Sequence, residues 1–234
     1  SDMERRNFIK GALMATGGLF LGGSAIHRLM DDKEDVNSSL PSTIEKIHQG
    51  AGKNVLILMS AGTRKGNTDR LTDAYIKGVV ERGHTVTKVY LGSMRVEGCR
   101  GCGACQRQGH GCVVQDGMQD IYPLFEKCDV VVMASPLYFW TITARLKSFI
   151  ERLYAISVED KYPVKGTVLL MTSGDDRADT FKQPLQYFQV ISDVLGKQPL
   201  GYYCAGGCTG CEDIGRYIDE RHLDRVYKMG LELL

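Results

Sequence analysis

The chain has 234 residues, 43% of them hydrophobic, and its 29 basic and 28 acidic side chains leave a net charge of +1. This length allows one domain with a sizeable core plus short extensions. A nearly neutral chain without a long run of like charges does not indicate a nucleic-acid partner. The eight cysteines are clustered, which favours cofactor or redox chemistry over random burial.

The N-terminal segment has the character of a targeting signal. Residues 1–2, ahead of Met3, are interpreted as a tag remnant. Arg5 and Arg6 precede a Gly- and Ala-rich apolar stretch over residues 11–26, a pattern that resembles a twin-arginine export signal. The stretch is short and glycine-rich for a membrane span. We therefore expect export by a twin-arginine route to the periplasm or the cell envelope.

An alternative stays open for residues 1–30. If the segment is an ordinary amphipathic helix, the protein is cytoplasmic. No clear Ala-x-Ala cleavage site follows the apolar stretch, so we expect membrane association only if the segment is retained. Residues 31–52 are polar and are interpreted as a linker, with a short helix over residues 42–48. Residues 53–234 form the predicted folded domain.

From residue 53 onward, short apolar runs alternate with stretches of helical periodicity. Strands are predicted over residues 54–59, 85–91, 130–134, 167–172 and 199–204. Helices are predicted over residues 68–82 and 118–127, around residues 146–153 and 181–195, and from near residue 213 almost to the C-terminus. Five strands alternating with helices predict an α/β domain whose parallel sheet is covered by helices on both faces.

The loop after the first predicted strand, residues 60–68 (the anion loop), has the composition of an anion site. Its candidate contact residues are Ser60, Thr63, Arg64, Gly66, Asn67 and Thr68. Glycines let the backbone approach an anion, and the helix that follows directs free N–H groups and its dipole at it. Arg64 and Lys65 can neutralise the charge. The loop matches neither G-x-G-x-x-G nor G-x-x-x-x-G-K-[ST], which disfavours dinucleotide and P-loop sites. The alternative is a capped strand–helix turn without a ligand.

Two more loops follow the third and fourth predicted strands. The first is the aromatic loop, residues 136–140, which consists of Pro136, Leu137, Tyr138, Phe139 and Trp140. Such residues suit stacking against a flat ring, although a hydrophobic corner is the alternative. The second loop contains Ser173, Gly174 and Asp175. In a sheet of order 2-1-3-4-5, all three loops meet at the switch-point crevice where open α/β sheets bind their ligands.

A cysteine loop over residues 98–117 places four thiols close together. Its candidate metal ligands are Cys99, Cys102, Cys105 and Cys112. A [4Fe–4S] cluster takes four cysteines and suits this spacing. Reduced or disulfide-paired thiols are a second interpretation, which export would favour because thiols outside the cytosol tend to oxidise. A structural zinc site is a third, although C-x2-C-x2-C is tighter than the usual zinc spacing.

The remaining chemical candidates are weaker. Cys204, Cys208 and Cys211 cannot complete a four-cysteine cluster alone, so a redox-active disulfide and a glycine-rich loop with incidental cysteines both stay open. His110 lies in the cysteine loop, where a solvent-exposed histidine is the simpler interpretation. The sequence indicates no catalytic triad and no paired carboxylates, so no catalytic residue is named.

Residues 53 to about 155 resemble the NADPH-dependent FMN reductase and iron–sulfur flavoprotein branch of the flavodoxin-like superfamily. The resemblance rests on the anion loop, the cysteine loop, and the segments 116–118, 135–138 and 146–152. Beyond residue 175 it fades. It implies a flavodoxin-like three-layer sandwich with a five-stranded parallel sheet of order 2-1-3-4-5.

The same resemblance implies an oxidoreductase. The anion loop would hold the FMN phosphate, the aromatic loop would flank the ring, and residues 172–175 would contact the isoalloxazine edge. NAD(P)H is the expected electron donor, a small molecule or a protein the acceptor, and a homodimer or homotetramer the assembly. The flavin would do the chemistry while the protein positions it. The alternatives are a flavodoxin-like electron carrier without its own substrate and a structural or metal-binding module.

Overall fold

A computed structural model describes residues 43–109, 111–157, 159, 161–177, 179–196, 199–210 and 215–234. These residues belong to one unit that spans Thr43–Leu234. The twin-arginine-like segment, the first part of the predicted linker, His110 and Cys211 lie outside the described residues. The predictions made for them therefore stay predictions.

Six strands form one sheet in the order β1-β3-β2-β4-β5-β6. Their bounds are β1 Ile44–His48, β2 Asn54–Met59, β3 Thr85–Val89, β4 Val130–Pro136, β5 Gly166–Thr172 and β6 Gly201–Ala205. Strands β2 to β6 pair in parallel, whereas β1 is antiparallel to β3. The flavodoxin-like α/β fold is thus present, but the predicted five-stranded sheet is corrected to a mostly parallel sheet of six strands.

The additional strand β1 corrects the short helix predicted over residues 42–48. Ile44 pairs with Val89 and Glu45 with Lys88 along the outer edge of β3. The amide N–H of Tyr90 also donates to the carbonyl oxygen of Thr43 at 2.8 Å. Local composition did not predict this strand because β3 supplies unpaired backbone groups at its edge, and pairing with them outweighs weak local propensity.

Helices connect the parallel strands. Their bounds are α1 Asn67–Glu81, α2 Ala104–Arg107, α3 Met118–Lys127, α4 Ala144–Arg152, α5 Lys182–Val194 and α6 Glu220–Leu231. The last helix begins later than predicted, because Asp219 caps it by accepting a hydrogen bond from the N–H of Arg221 at 2.9 Å. Within the described ranges, no helix is long and apolar enough to cross a lipid bilayer.

Side chains of the central strands alternate between two hydrophobic cores. On one face Leu56 belongs to a cluster with Phe125 of α3, and on the other Ile57 belongs to a cluster with Tyr75 of α1 and Val226 of α6. Alternation of buried side chains on a strand covered on both faces explains the continuous apolar runs. The predicted three-layer arrangement is therefore present.

Helices α1 and α6 approach each other through two glycines. A Cβ atom on Gly78 would collide with the carbonyl oxygen of Tyr227, and one on Gly230 would collide with the carbonyl oxygen of Tyr75. Only glycine allows the two backbones to come this close. The contact anchors α6, and with it the chain just before α6, against the helix that starts at the anion loop.

Candidate functional site

A cavity of about 340 Å³, the edge cavity, lies at the carboxyl ends of β2, β4 and β5. The chain continues from β2 to β3 on one side and from β4 to β5 on the other, so the cavity occupies the switch point of the sheet. Its volume falls in the range of small-molecule sites.

Most of the residues predicted to contact a cofactor line this cavity. They are Thr63, Gly66, Asn67, Thr68, Pro136, Leu137, Tyr138, Ser173 and Gly174. Further lining residues are Ala61, Gly62, Thr172, Cys208, Gly210 and Arg216. The last three come from the chain after β6. The sequence pointed to Cys208 there as a redox candidate, but it did not predict that Gly210 and Arg216 line the cavity, because they lie far along the chain from the anion loop. The cysteines and glycines of residues 204–211, which follow the last predicted strand, were the available signal.

The first turn of α1 points an uncapped helix end at the edge cavity. Gly66 is the N-cap residue and has no side chain to accept from the first amides, and among the described residues no side-chain hydrogen bond caps this end of the helix. Gly66, Asn67 and Thr68 all line the cavity. Because the first N–H groups of a helix lack intrahelical acceptors and lie at the positive end of its dipole, they favour an anion here.

Hydrogen bonds link the anion loop to neighbouring strands. The Thr68 and Thr172 hydroxyls are 2.7 Å apart and buried. Asn67 Nδ2 donates to the carbonyl oxygen of Thr209 at 3.0 Å, which ties the loop to the chain after β6. Ser60 is buried and does not line the cavity; its hydroxyl donates to the carbonyl oxygen of Ala134 at 2.8 Å. Its role in the structure is to hold the end of β2 against β4.

A buried ion pair supports the turn of the anion loop. Lys65 has a φ of 59°, and its N–H donates to Asp69 Oδ2 at 2.7 Å. Asp69 Oδ1 accepts from the buried Lys88 Nζ at 2.6 Å, and Lys88 also donates to Asp73. Burial lowers the pKa of Lys88, but these two carboxylates outweigh it and the pKa lies above its usual value. The strained left-handed residue is thus held by a carboxylate that is itself fixed by a buried cation.

Arg64 points away from the edge cavity. Its Nη1 lies 2.7 Å from Glu45 Oε1 of β1, and its guanidinium lies 3.6 Å from the ring centroid of Tyr90. Both partners lie on the β3 side of β2, whereas the cavity lies on the β4 side. In this structure, the charge of Arg64 is therefore not directed at a ligand in the cavity.

Three other predicted residues lie outside the cavity wall. Phe139 and Trp140 have positive φ values of 47° and 58° and are 92% and 59% exposed. They form a tight turn closed by hydrogen bonds between Tyr138 and Thr141. Asp175 pairs with Arg177, whose hydrogen bonds lower the pKa of Asp175 to about 2. The hydrophobic-corner alternative for the aromatic loop does not fit, because its two bulkiest rings face solvent.

A second cavity, of about 130 Å³, is the cysteine cavity. Its wall includes all four thiols of the cysteine loop, Cys99, Cys102, Cys105 and Cys112. All four are free thiols. The part of the chain that the structure describes contains no group of three or more His, Cys, Asp or Glu side chains arranged around one metal ion.

Arg152 holds the cysteine loop from the wall of this cavity. Its side chain is 2% exposed and makes two hydrogen bonds with Asp116, at 2.8 and 3.1 Å. It also donates to the carbonyl oxygens of Glu97 and Val114. Burial raises the pKa of Asp116, but the hydrogen bonds from Arg152 and two backbone N–H groups outweigh it and the pKa lies below its usual value. Both ends of the loop thus depend on one guanidinium.

In the second group of cysteines, the structure describes Cys204 and Cys208, and neither is a reactive thiol. Cys208 lines the edge cavity, and its N–H donates to the carbonyl oxygen of Ser173 at 2.9 Å. Burial raises the pKa of Cys208 and raises that of Cys204 to about 12. Because the thiolate is the reactive form, neither thiol is a nucleophile near neutral pH.

His84 and His222 have structural partners that the sequence did not reveal. His84 Nδ1 accepts from the N–H of Lys53, and its Nε2 lies 3.0 Å from the carbonyl oxygen of Leu233. His222 lies between the Tyr203 hydroxyl and the carbonyl oxygen of Gly206. Both rings are buried, and neither lines the edge cavity.

Comparison with known proteins gives a family match and several fold matches. The model of a family described as NADPH-dependent FMN reductase matches residues 54–205, from β2 to β6. An iron–sulfur flavoprotein of Archaeoglobus fulgidus is 35% identical over 165 residues, which cover 67% of this chain and 72% of that protein.

Two solved structures share the fold. An NAD(P)H:quinone oxidoreductase from Methanothermobacter marburgensis is 18% identical with a TM-score of 0.59, covering 77% of this chain and 96% of that one. An azoreductase from Bacillus anthracis str. Sterne is 17% identical with a TM-score of 0.61, covering 78% and 100%. At these identities the likeness establishes the fold alone.

The buried pair of Arg152 and Asp116 predicts a large, pH-dependent effect of mutation. Asp116→Asn leaves a buried guanidinium without its carboxylate and lowers the free energy of unfolding by about 3–5 kcal/mol near neutral pH. Because the pKa of Asp116 is lowered by folding, its stabilisation is complete above its unfolded pKa of about 3.9 and is lost as pH falls through the folded value. The difference in the free energy of unfolding between the variant and the wild type therefore becomes smaller at acidic pH. Urea unfolding across pH measures it.

The matched control is Lys147→Gln, which removes the exposed pair of Lys147 with Glu151. Exposed pairs contribute little, so this variant unfolds nearly as the wild type does. An Asp116→Asn protein as stable as the control near neutral pH would show that the buried pair is not a support of the cysteine loop.

Proposed function

The chain belongs to the NADPH-dependent FMN reductase family, and from this premise we propose that it binds FMN in the edge cavity and passes electrons from NAD(P)H to a planar acceptor. Membership makes the protein an FMN-dependent NAD(P)H oxidoreductase. The placement of the flavin and the class of acceptor are the proposed steps. The observation that supports these two steps is the uncapped start of α1 in the wall of the edge cavity.

The donor set of the edge cavity fits FMN at both ends. At one end the first amides of α1, with the Thr63 and Thr68 hydroxyls, suit a phosphate. Gly62 leaves open space there, since a Cβ atom built on it meets no atom within 4 Å. At the other end Pro136, Leu137 and Tyr138 offer an apolar surface to a flat ring.

Bound FMN supplies the redox chemistry, because a flavin accepts hydride and passes electrons on. The protein's own part is to bind the phosphate, to orient the ring against the aromatic loop and to exclude water beneath it. The described lining residues include no carboxylate and no imidazole, so the wall offers none of the usual general bases. No acid–base residue of this chain is therefore assigned.

The acceptor is proposed to be a quinone, a free flavin or another planar molecule. Tyr138 lines the cavity yet is 57% exposed, so one part of the aromatic loop reaches solvent. An aromatic ring at the mouth of a cavity suits stacking with a planar substrate. The alternative function, an electron carrier without its own substrate, predicts flavin binding without turnover.

Binding and turnover test this function together. Anaerobically purified protein is expected to show flavin absorption bands with about one FMN per chain, and to oxidise NADH or NADPH when a soluble quinone is added. Gly62→Leu fills part of the cavity and is expected to lower FMN affinity about 100-fold, or about 2.7 kcal/mol. Thermal unfolding of the apoprotein checks that this variant folds.

The outcomes separate the alternatives. Flavin bands without oxidation of either nucleotide would leave the carrier function and refute the enzyme. A colourless wild-type protein that does not retain added FMN would refute the flavin site itself. A folded Gly62→Leu protein that binds FMN normally would place the flavin elsewhere on the chain.

We also propose that the cysteine cavity holds a [4Fe–4S] cluster, which would supply an electron relay when bound. Four free thiols line one cavity, and a relative is named as an iron–sulfur flavoprotein. A cluster of several iron and sulfide ions occupies a volume, so its thiolates need to line a cavity without converging on one point. Arg152 in the wall has a buried Nε–H without a partner among the described residues, a donor suited to a cluster sulfur.

Iron analysis tests the cluster. The wild type is expected to contain about four iron and four acid-labile sulfide ions per chain. A Cys102→Ser/Cys105→Ser double variant loses them while keeping FMN, because these thiols do not line the edge cavity. Cys204→Ser, outside the cysteine cavity, is the control and keeps its iron. Wild-type protein with flavin bands and no iron would refute the cluster.

We further propose that the protein is exported by the twin-arginine route and works as a homodimer or homotetramer. Arg5 and Arg6 support the first part, and the exposed rings of Phe139 and Trp140 beside the edge cavity support the second.

One expression experiment in a bacterium with this route tests both parts. FMN-loaded wild type is expected in the periplasm, with a mass by light scattering of two or four chains. An Arg5→Lys/Arg6→Lys variant stays in the cytoplasm. Equal export of the wild type and the variant would refute the twin-arginine route. A mass of one chain would refute the oligomer.

A further inference from the structure

We propose that Arg216, from the chain between β6 and α6, is the cation that neutralises the phosphate of the bound flavin, in place of Arg64 from the anion loop. The inference rests on the proposed FMN site and assigns one of its residues. Arg216 lies beyond residues 54–205, the part of the chain that matches the family. The assignment therefore comes from the geometry of this structure.

The position of Arg64 removes it from the phosphate end of the cavity. Its guanidinium is held between the Glu45 carboxylate, 2.7 Å from Nη1, and the face of the Tyr90 ring, 3.6 Å from the centroid. Turning it toward the edge cavity would break an ion pair and a cation–π contact together. Lys65, the other cation of the loop, is exposed and does not line the cavity.

Arg216 lies where Arg64 was expected. It lines the edge cavity together with Gly66, Asn67 and Thr68, the residues at the start of α1. A Cβ atom on Gly66 would be 3.7 Å from both Cδ and Nε of Arg216, so the arginine side chain packs against the N-cap of the helix. A phosphate at the first amides of α1 would therefore meet the guanidinium as well. Hydrogen bonds between such charged groups are about twice as strong as neutral ones.

The backbone around Arg216 is tied directly to the anion loop. Thr209 and Tyr217 exchange two hydrogen bonds of 3.0 and 2.8 Å, which pair the chain before the arginine with the chain after it. Asn67 Nδ2 donates to the carbonyl oxygen of the same Thr209. Gly210 has a φ of 95°, and a Cβ atom there would collide with the carbonyl oxygen of Gly215. These contacts fix Arg216 relative to the first turn of α1.

A cation at this place discriminates between two forms of the flavin. Riboflavin has the same ring and ribityl chain as FMN but carries no phosphate, so it gains nothing from a guanidinium at the phosphate end. Arg216 should therefore determine how strongly FMN is preferred over riboflavin. A residue with a merely structural role would change the affinity for both ligands alike.

The experiment compares Arg216→Gln with Arg64→Gln, its matched control in the anion loop. Apoprotein of each is titrated with FMN and with riboflavin, following flavin fluorescence. A hydrogen bond to a charged group contributes about 1.5–3 kcal/mol, so Arg216→Gln is expected to weaken FMN binding about 10- to 100-fold and to leave riboflavin binding within about twofold. Arg64→Gln is expected to change both affinities by less than about threefold. Arg216→Lys keeps a charge and should lie between wild type and Arg216→Gln.

The outcomes that overturn this inference are distinct from those that overturn the proposed function. An Arg216→Gln protein that prefers FMN as strongly as the wild type refutes it, as does a loss of FMN preference in Arg64→Gln. Equal weakening of FMN and riboflavin in Arg216→Gln would assign the residue a structural role and also refutes it. If Arg216→Gln does not fold, an Arg216→Lys protein with wild-type preference supports the assignment of a cation, whereas an unselective one refutes it. A wild type that binds neither ligand overturns the proposed FMN site.

Discussion

The crevice between the carboxyl ends of β2 and β4 determines where the loops of the candidate site come together. It exists because the chain leaves β2 toward β3 and leaves β4 toward β5, so the loops on the two sides diverge and leave a gap. Parallel pairing brings the loops after β2, β4 and β5 to the same edge. The start of α1, the aromatic loop and the loop after β5 then share one cavity because of strand order.

Two ion pairs, Arg64 with Glu45 and Lys88 with Asp69, surround the anion loop. Asp69 and Lys88, both buried, stabilise the left-handed turn at Lys65, and Arg64 is held by Glu45 on the far side. A buried carboxylate beside an anion site would repel the ligand if it were unpaired, and Lys88 offsets that charge. Within the anion loop, the charge of Arg64 is therefore offset by Glu45 of β1. In the proposed FMN site, the phosphate would be attracted by the amides of α1 and by Arg216.

The cysteine loop depends on a different buried charge. Arg152 ends α4 and reaches Asp116, the carbonyl oxygen of Val114 in the loop and that of Glu97 just before it. These contacts hold an irregular segment around its four thiols. Such a pair stabilises little by comparison with apolar packing, but breaking it is costly because the guanidinium is left buried.

The sequence alone determined the parallel strands, the helices on both faces, and the lining of the cavity by most of the anion loop, because hydrophobic periodicity and loop composition are local properties. It did not reveal β1, whose residues pair only because β3 offers a free edge. Tertiary structure alone decided the direction of Arg64, because its partner Glu45 lies on β1. It also brought Cys208 and Arg216 to the anion loop. The reason is common to all of these cases: pairing and packing between segments far apart in the chain place a side chain, and no local pattern records them.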